Sequence, residues 1–234
     1  MLISFVTRHA LGYGAKSVRR KVFRIVAGAA FFAMSWQPVK ADPVDILAFG
    51  DSLVQGYGLP ASDGLVPQLQ NWLVGHGLDV HIINAGVAGD TTVGALQRID
   101  WALAPGVDAA IVLLGGNDVL RGYDPALTRD SLGTILGRLQ AEEIPVLLIG
   151  IAAPGNYGTD YQDAFRLLYD ELADEFGVLL YPNFFRVLFA MEDRDQVLRD
   201  YYQTDGLHPN AVGVGLIVED LGPMVEALVQ EVED

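Results

Sequence analysis

From residue 42 onward the apolar positions fall into two alternating patterns. Short, nearly uniform apolar runs occur at 45–49 (DILAF), 80–83, 109–114 (AAIVLL), 145–150 (PVLLIG) and 178–181. Runs of this length, bounded by turn residues, predict buried strands. Between them apolar residues recur at three- and four-residue steps: Leu65, Leu69, Trp72 and Leu73; Leu132, Ile135, Leu136 and Leu139; Phe165, Leu168, Tyr169, Leu172 and Phe176. That spacing puts them on one face of a helix. Asp63 is placed to cap the first of these helices, and Pro67 is tolerated in its first turn. A further helix is expected over 93–103. A last one starts near Asn210, with a break or kink at Gly222-Pro223. Strand–helix alternation gives a parallel sheet covered by helices on both faces, and the uniformly apolar run 109–114 suits a central strand. Ligands of such sheets sit beyond the carboxyl ends of the strands. Chemistry is therefore sought in the loops 50–58, 84–92, 115–124, 152–160 and 202–208.

Residues 1–41 do not fit this alternation. Arg19, Arg20, Lys21 and Arg24 precede the short apolar run 25–34 (IVAGAAFFAM), and Val39-Lys40-Ala41 places a small residue before Asp42. This is the order of a secretory signal peptide. The uncharged stretch 25–39 is shorter than the ~20 residues that span a bilayer. The expectation is a signal peptide at 1–41 that is removed. A single domain, 42–234, is then left periplasmic or secreted, with no stable membrane insertion. Arg19-Arg20 weakly resembles a twin-arginine signal.

Charge sharpens the picture. Residues 1–41 hold seven basic and no acidic residues. Subtracting them from the net −15 leaves −22 on 42–234, which carries eight arginines and no lysine. Such a body repels phosphate backbones, so no nucleic-acid partner is expected. The chain has no cysteine, which excludes a thiolate nucleophile, a disulfide framework and a Cys-based zinc site.

Four of the expected loops carry reactive side chains. Ser52, in Gly50-Asp51-Ser52-Leu53, follows a buried strand at the start of a helix, where free backbone N–H groups gather. The second loop, Asn84 to Thr92, holds Gly86 and Gly89, either of which lets backbone N–H approach an anion. The third, Gly115-Gly116-Asn117-Asp118, offers the neutral amide of Asn117 as a donor. The last is Asp205-Gly206-Leu207-His208-Pro209, where the three-residue spacing lets a carboxylate orient an imidazole whose other nitrogen faces a serine. His76 and His81 flank a turn and read as surface residues. Taken singly, these segments also read as caps and turns; their joint occurrence at strand ends carries the argument.

The four segments together resemble the blocks of the SGNH/GDSL hydrolases over nearly all of 44–220, with Gly89 matched by its Gly-Asp-Thr context. Residues 114–122 (LGGNDVLRG) and 154–158 (PGNYG) are similar to the thioesterase I, lysophospholipase L1 and arylesterase branch. The resemblance implies a three-layer α/β/α flavodoxin-like fold with a five-stranded parallel sheet in the order 2-1-3-4-5. It implies acyl transfer through Ser52, with His208 as base, Asp205 as its orienter, and an oxyanion hole from Ser52 N–H, Gly89 N–H and the Asn117 side chain. It implies no cofactor and no metal. The substrate class is a small acyl, aryl, thio- or lysophospholipid ester. Asp51, Ile151, Pro154 and Tyr157 are the residues expected to face it, and a monomer is expected. Position 54 is Val, so the Gly-x-Ser-x-Gly elbow is absent. The competing readings are a carbohydrate acetylesterase, a metal-dependent phosphodiesterase built on Asp51, Asp118, Asp205 and His208, and a non-catalytic binding module.

Overall fold

The computed structural model describes residues 42–103 and 105–233, with Glu233 as backbone only. The expected signal segment lies outside the described residues. The five apolar runs form β1 (Val44–Gly50), β2 (Val80–Gly86), β3 (Ala109–Leu113), β4 (Val146–Ile149) and β5 (Leu179–Tyr181), all parallel. Their spatial order is β2-β1-β3-β4-β5, as the resemblance implies. In register, Gly50 at the end of β1 lies beside Gly86 of β2 and Leu113 of β3. Three strand-end loops therefore leave the sheet at one level.

In chain order the helices are α1 (Ser52–Gln55), α2 (Leu65–Gly75), α3 (Thr92–Leu96), α4 (Ile99–Ala102), α5 (Gly116–Leu120) and α6 (Pro125–Ala141). They continue with α7 (Thr159–Phe176), α8 (Arg186–Phe189), α9 (Arg194–Tyr201) and α10 (Ala211–Glu233). A 3-10 turn, Gly155–Tyr157, precedes α7. α10 packs on α2, α8 and α9, whereas α6 packs on α3, α4 and α7. Two helix groups thus cover the sheet. Every side chain of β3 is buried, so its neighbours gain about 25 cal/mol for each Å² of apolar surface withdrawn from water. A polar staple joins β5, α8 and α10: Asp220 accepts from Tyr181 Oη at 2.5 Å and from Arg186 Nε at 2.5 Å.

Four expectations need correction. The helix expected over 93–103 is two short helices, because the chain turns at Gln97–Arg98 and the Arg98 side chain reaches inward to bond backbone carbonyls. Gly64, not Asp63, caps α2. Asp63 instead accepts from Ser62 Oγ through its side chain and from Gln68 Nε2 through its carbonyl. α10 continues through Pro223 rather than breaking there. Finally, residues 202–208 follow α9 rather than a strand, since α8 and α9 intervene after β5.

Candidate active site

Asp51 follows β1 and caps α1, its Oδ1 accepting from Leu53 N–H at 3.0 Å. Ser52 is thereby the first residue of α1, only 8% exposed. His208 Nε2 lies 2.8 Å from Ser52 Oγ, and His208 Nδ1 lies 2.7 Å from Asp205 Oδ2. The other oxygen, Asp205 Oδ1, accepts from Leu207 N–H at 2.9 Å and His208 N–H at 3.0 Å. Burial works to raise the Asp205 carboxyl. The hydrogen bonds from His208 N–H, Leu207 N–H and the His208 ring outweigh it and hold the group below its ordinary value. The loop is closed on itself by Gln203 N–H donating to His208 C=O at 2.8 Å. The ring of Tyr57 packs on that of His208, centroids 5.0 Å apart.

Asn117 stands in the first turn of α5. Gly115, which precedes that helix, has φ 113°, a conformation closed to most side chains. Asn117 Nδ2 donates to Asp51 Oδ2 at 3.2 Å, leaving a second amide hydrogen. Gly89, with φ 79°, lines the same cavity as Ser52 and Asn117. The N–H groups of Ser52 and Gly89 donate to no acceptor among the described residues. Three residues lining the cavity, Ser52, Gly89 and Asn117, therefore carry a donor hydrogen with no acceptor among the described residues.

The surrounding loops are fixed by buried polar groups. Asp118 is fully buried and accepts from Thr92 N–H at 3.0 Å, Thr92 Oγ1 at 2.5 Å and Thr128 Oγ1 at 3.3 Å. It binds the end of the Gly89 loop to α5 and α6. Arg98 donates to Asp90 Oδ2 at 2.7 Å, Ala85 C=O at 2.9 Å and Gly50 C=O at 2.8 Å, with its guanidinium over the Phe49 ring. One side chain thus joins the ends of β1 and β2 to the residue after Gly89. Arg121 Nη2 holds the Gly89 carbonyl at 2.9 Å.

The cavity in front of Ser52 measures about 690 Å³. Ile151 and Pro154 line it, as expected. Tyr157 does not: its ring lies against Tyr161 and close to Gly122. Asp51 lines the cavity, yet it is 2% exposed and both of its oxygens are engaged, so it faces Asn117 rather than a substrate. Burial pushes its carboxyl up to about 6, against the lowering effect of Leu53 N–H, His208 and Asn117. The sequence reading missed the far wall, formed by Phe185 and by Phe189, Arg194, Leu198 and Tyr202 on or beside α8 and α9. The one usable signal was Asp193, three residues before Gln196, whose N–H it caps at 3.0 Å.

A parallel α/β sheet in which the loop after β1 brings a serine, and the loop after α9 a histidine and an aspartate, into one hydrogen-bonded line beside free backbone donors defines a serine hydrolase. The model of the GDSL-like lipase/acylhydrolase family matches residues 48–216, and the chain belongs to that family. Esterase TesA of Pseudomonas aeruginosa is 35% identical over 184 residues, 78% of this chain and 88% of that protein. Thioesterase 1/protease 1/lysophospholipase L1 of Escherichia coli K12 is 34% identical over 187 residues, 79% and 84% of the two chains. The crystal structure of AlinE4, described as an SGNH-hydrolase family esterase, shares 43% identity at a TM-score of 0.64, covering 80% of this chain and 96% of its own.

Proposed function

We propose that this chain hydrolyses carboxylic esters through an acyl-enzyme on Ser52. His208 takes the proton of Ser52 Oγ as that oxygen attacks the ester carbonyl. Asp205 fixes the imidazole tautomer and stabilises the imidazolium that forms. Ser52 N–H, Gly89 N–H and the free hydrogen of Asn117 Nδ2 receive the negative charge of the tetrahedral intermediate. His208 then hands its proton to the leaving oxygen or sulfur. A water deprotonated by His208 attacks the acyl carbonyl, and the bond to Ser52 Oγ breaks as that oxygen takes the proton back from His208, releasing the acid. No step draws on a metal or cofactor.

The observation that carries this reading is the Asp205–His208–Ser52 line, with steps of 2.7 and 2.8 Å, opening into a cavity with aromatic and aliphatic walls. Those walls favour acyl or aryl groups over a sugar, which speaks against a carbohydrate acetylesterase. The names of the relatives support esters, thioesters and lysophospholipids as the substrate class. A phosphodiesterase using Asp118 is disfavoured because both Asp118 oxygens already serve Thr92 and Thr128. A binding module would have no use for the aligned relay. The enzyme is further proposed to act as a periplasmic or secreted monomer after loss of 1–41. The test is a chain-length series of p-nitrophenyl esters on wild type and Ser52→Ala. Turnover by wild type alone supports the reading, and undiminished turnover by Ser52→Ala removes it.

A further inference from the structure

Among the cavity-lining residues Arg194 is the single cation. Of the other arginines, Arg98, Arg129, Arg138, Arg166 and Arg186 each face a carboxylate. Arg194, like Arg121 and Arg199, faces none among the described residues, and of these three it alone lines the cavity. Its guanidinium instead lies over the Phe189 ring, 4.6 Å from the centroid, and Phe189 is itself part of the wall. The charge also reaches across the wall: it opposes the burial that raises the Tyr202 hydroxyl to about 12. The helix end does not favour a cation here, and the Phe189 face is its one local contact among the described residues. Arg194 opens α9, and the first turn is the end of a helix where positive charge is unfavourable. A guanidinium held on an aromatic face beside an apolar cavity keeps its edge N–H groups for an oxyanion. The surrounding body carries −22, so an anion is otherwise repelled from this surface.

We propose that Arg194 is a specificity-determining residue that receives an anionic group of the substrate, so that esters bearing a carboxylate, phosphate or sulfate away from the scissile bond are preferred over their neutral counterparts. The inference rests on the esterase reading above. Arg194 takes no part in bond making; it acts on binding, through the charged end of a molecule whose ester lies at Ser52. Either the acyl or the alcohol portion can carry that charge.

The experiment compares wild type, Arg194→Gln and Arg194→Lys on two ester pairs. The first pair is p-nitrophenyl butyrate and p-nitrophenyl hydrogen glutarate, with the charge on the acyl side. The second is phenyl butyrate and 4-carboxyphenyl butyrate, with the charge on the leaving side. Arg194→Gln should lower kcat/KM for an anionic ester about five- to tenfold more than for its neutral partner, mainly through KM. Arg194→Lys should recover part of the loss, and 1 M salt should shrink it. The pair that responds identifies the end that Arg194 reads. Equal effects on charged and neutral esters would assign Arg194 to packing on Phe189 and overturn the proposal, as would no effect on either pair. Wild type that cleaves none of the four esters would overturn the esterase reading and this inference together.

Discussion

Asn117 does two jobs with one amide. One hydrogen serves the buried Asp51 carboxylate, and the other is left for an oxyanion. Asn117→Ala should therefore lower kcat by about 10²–10³ with KM nearly unchanged. It should also cost about 1 kcal/mol of stability, because Asp51 Oδ2 loses its donor. Steady-state kinetics beside a thermal melt separate the two effects; an early melt with normal kcat would reduce Asn117 to a turn residue. Asp51 itself gives a pH signature. Its folded value of about 6 lies above the ordinary 3.8, so the folded state holds the proton more tightly than the unfolded chain. The associated stability is fully present below about pH 4 and is lost as pH rises through 6, at about 3 kcal/mol for a shift of this size. Asp51→Asn does not titrate. Between pH 4 and pH 8 the difference in unfolding free energy should move in the variant's favour by about that amount, measured by urea denaturation; parallel pH profiles would contradict it. Ser52, Gly89 and Asn117 were legible because their chemistry is unusual at strand ends, and His208 because Asp205 precedes it by three residues. Arg98 was not. An isolated arginine within an expected helix reads as a solvated side chain, and only the turn at 97–98 aims it at Gly50 and Ala85.

The elements with strong periodicity, α2, α6 and α7, were legible in the sequence, and so were all five strands. α8 and α9 were not, for physical reasons. A four-residue helix cannot display a 3.6-residue period, and α9 buries only Val197. Their loss hid the whole aromatic wall of the cavity. The Gly222-Pro223 pair misled in the other direction. It sits inside α10 because Gly222 admits the Trp72 ring against the helix, and a Cβ there would come within 2.6 Å of ring atoms. Trp72 is held in place by Glu219, 3.1 Å away, and by stacking on His76. Gly222→Ala gains about 1 kcal/mol of helix propensity but overpacks a ring with little room to move, at a cost of about 1–3 kcal/mol. Net destabilisation is expected in chemical denaturation, and Trp72→Phe should relieve it. A more stable Gly222→Ala would mean that α2 and α10 yield easily.

Over the molecule, the sheet order came from the resemblance and the layer architecture from the alternation of elements. The charge division at residue 41 is the basis for proposing that the domain is 42–234. If 42–234 folds as one unit, a protein lacking 1–41 should match the full chain in melting temperature and in kcat on a p-nitrophenyl ester. A large fall in either would give the leader a structural role. Mature protein exported by its host should begin near Asp42. The covalent intermediate on Ser52 is tested most directly by reacting the enzyme with a fluorophosphonate and mapping the adduct by peptide mass spectrometry. One equivalent on Ser52, absent from Ser52→Ala and suppressed in His208→Ala, is the expected result. A stoichiometric adduct on any other residue, or none while ester turnover continues, would contradict the acyl-enzyme mechanism.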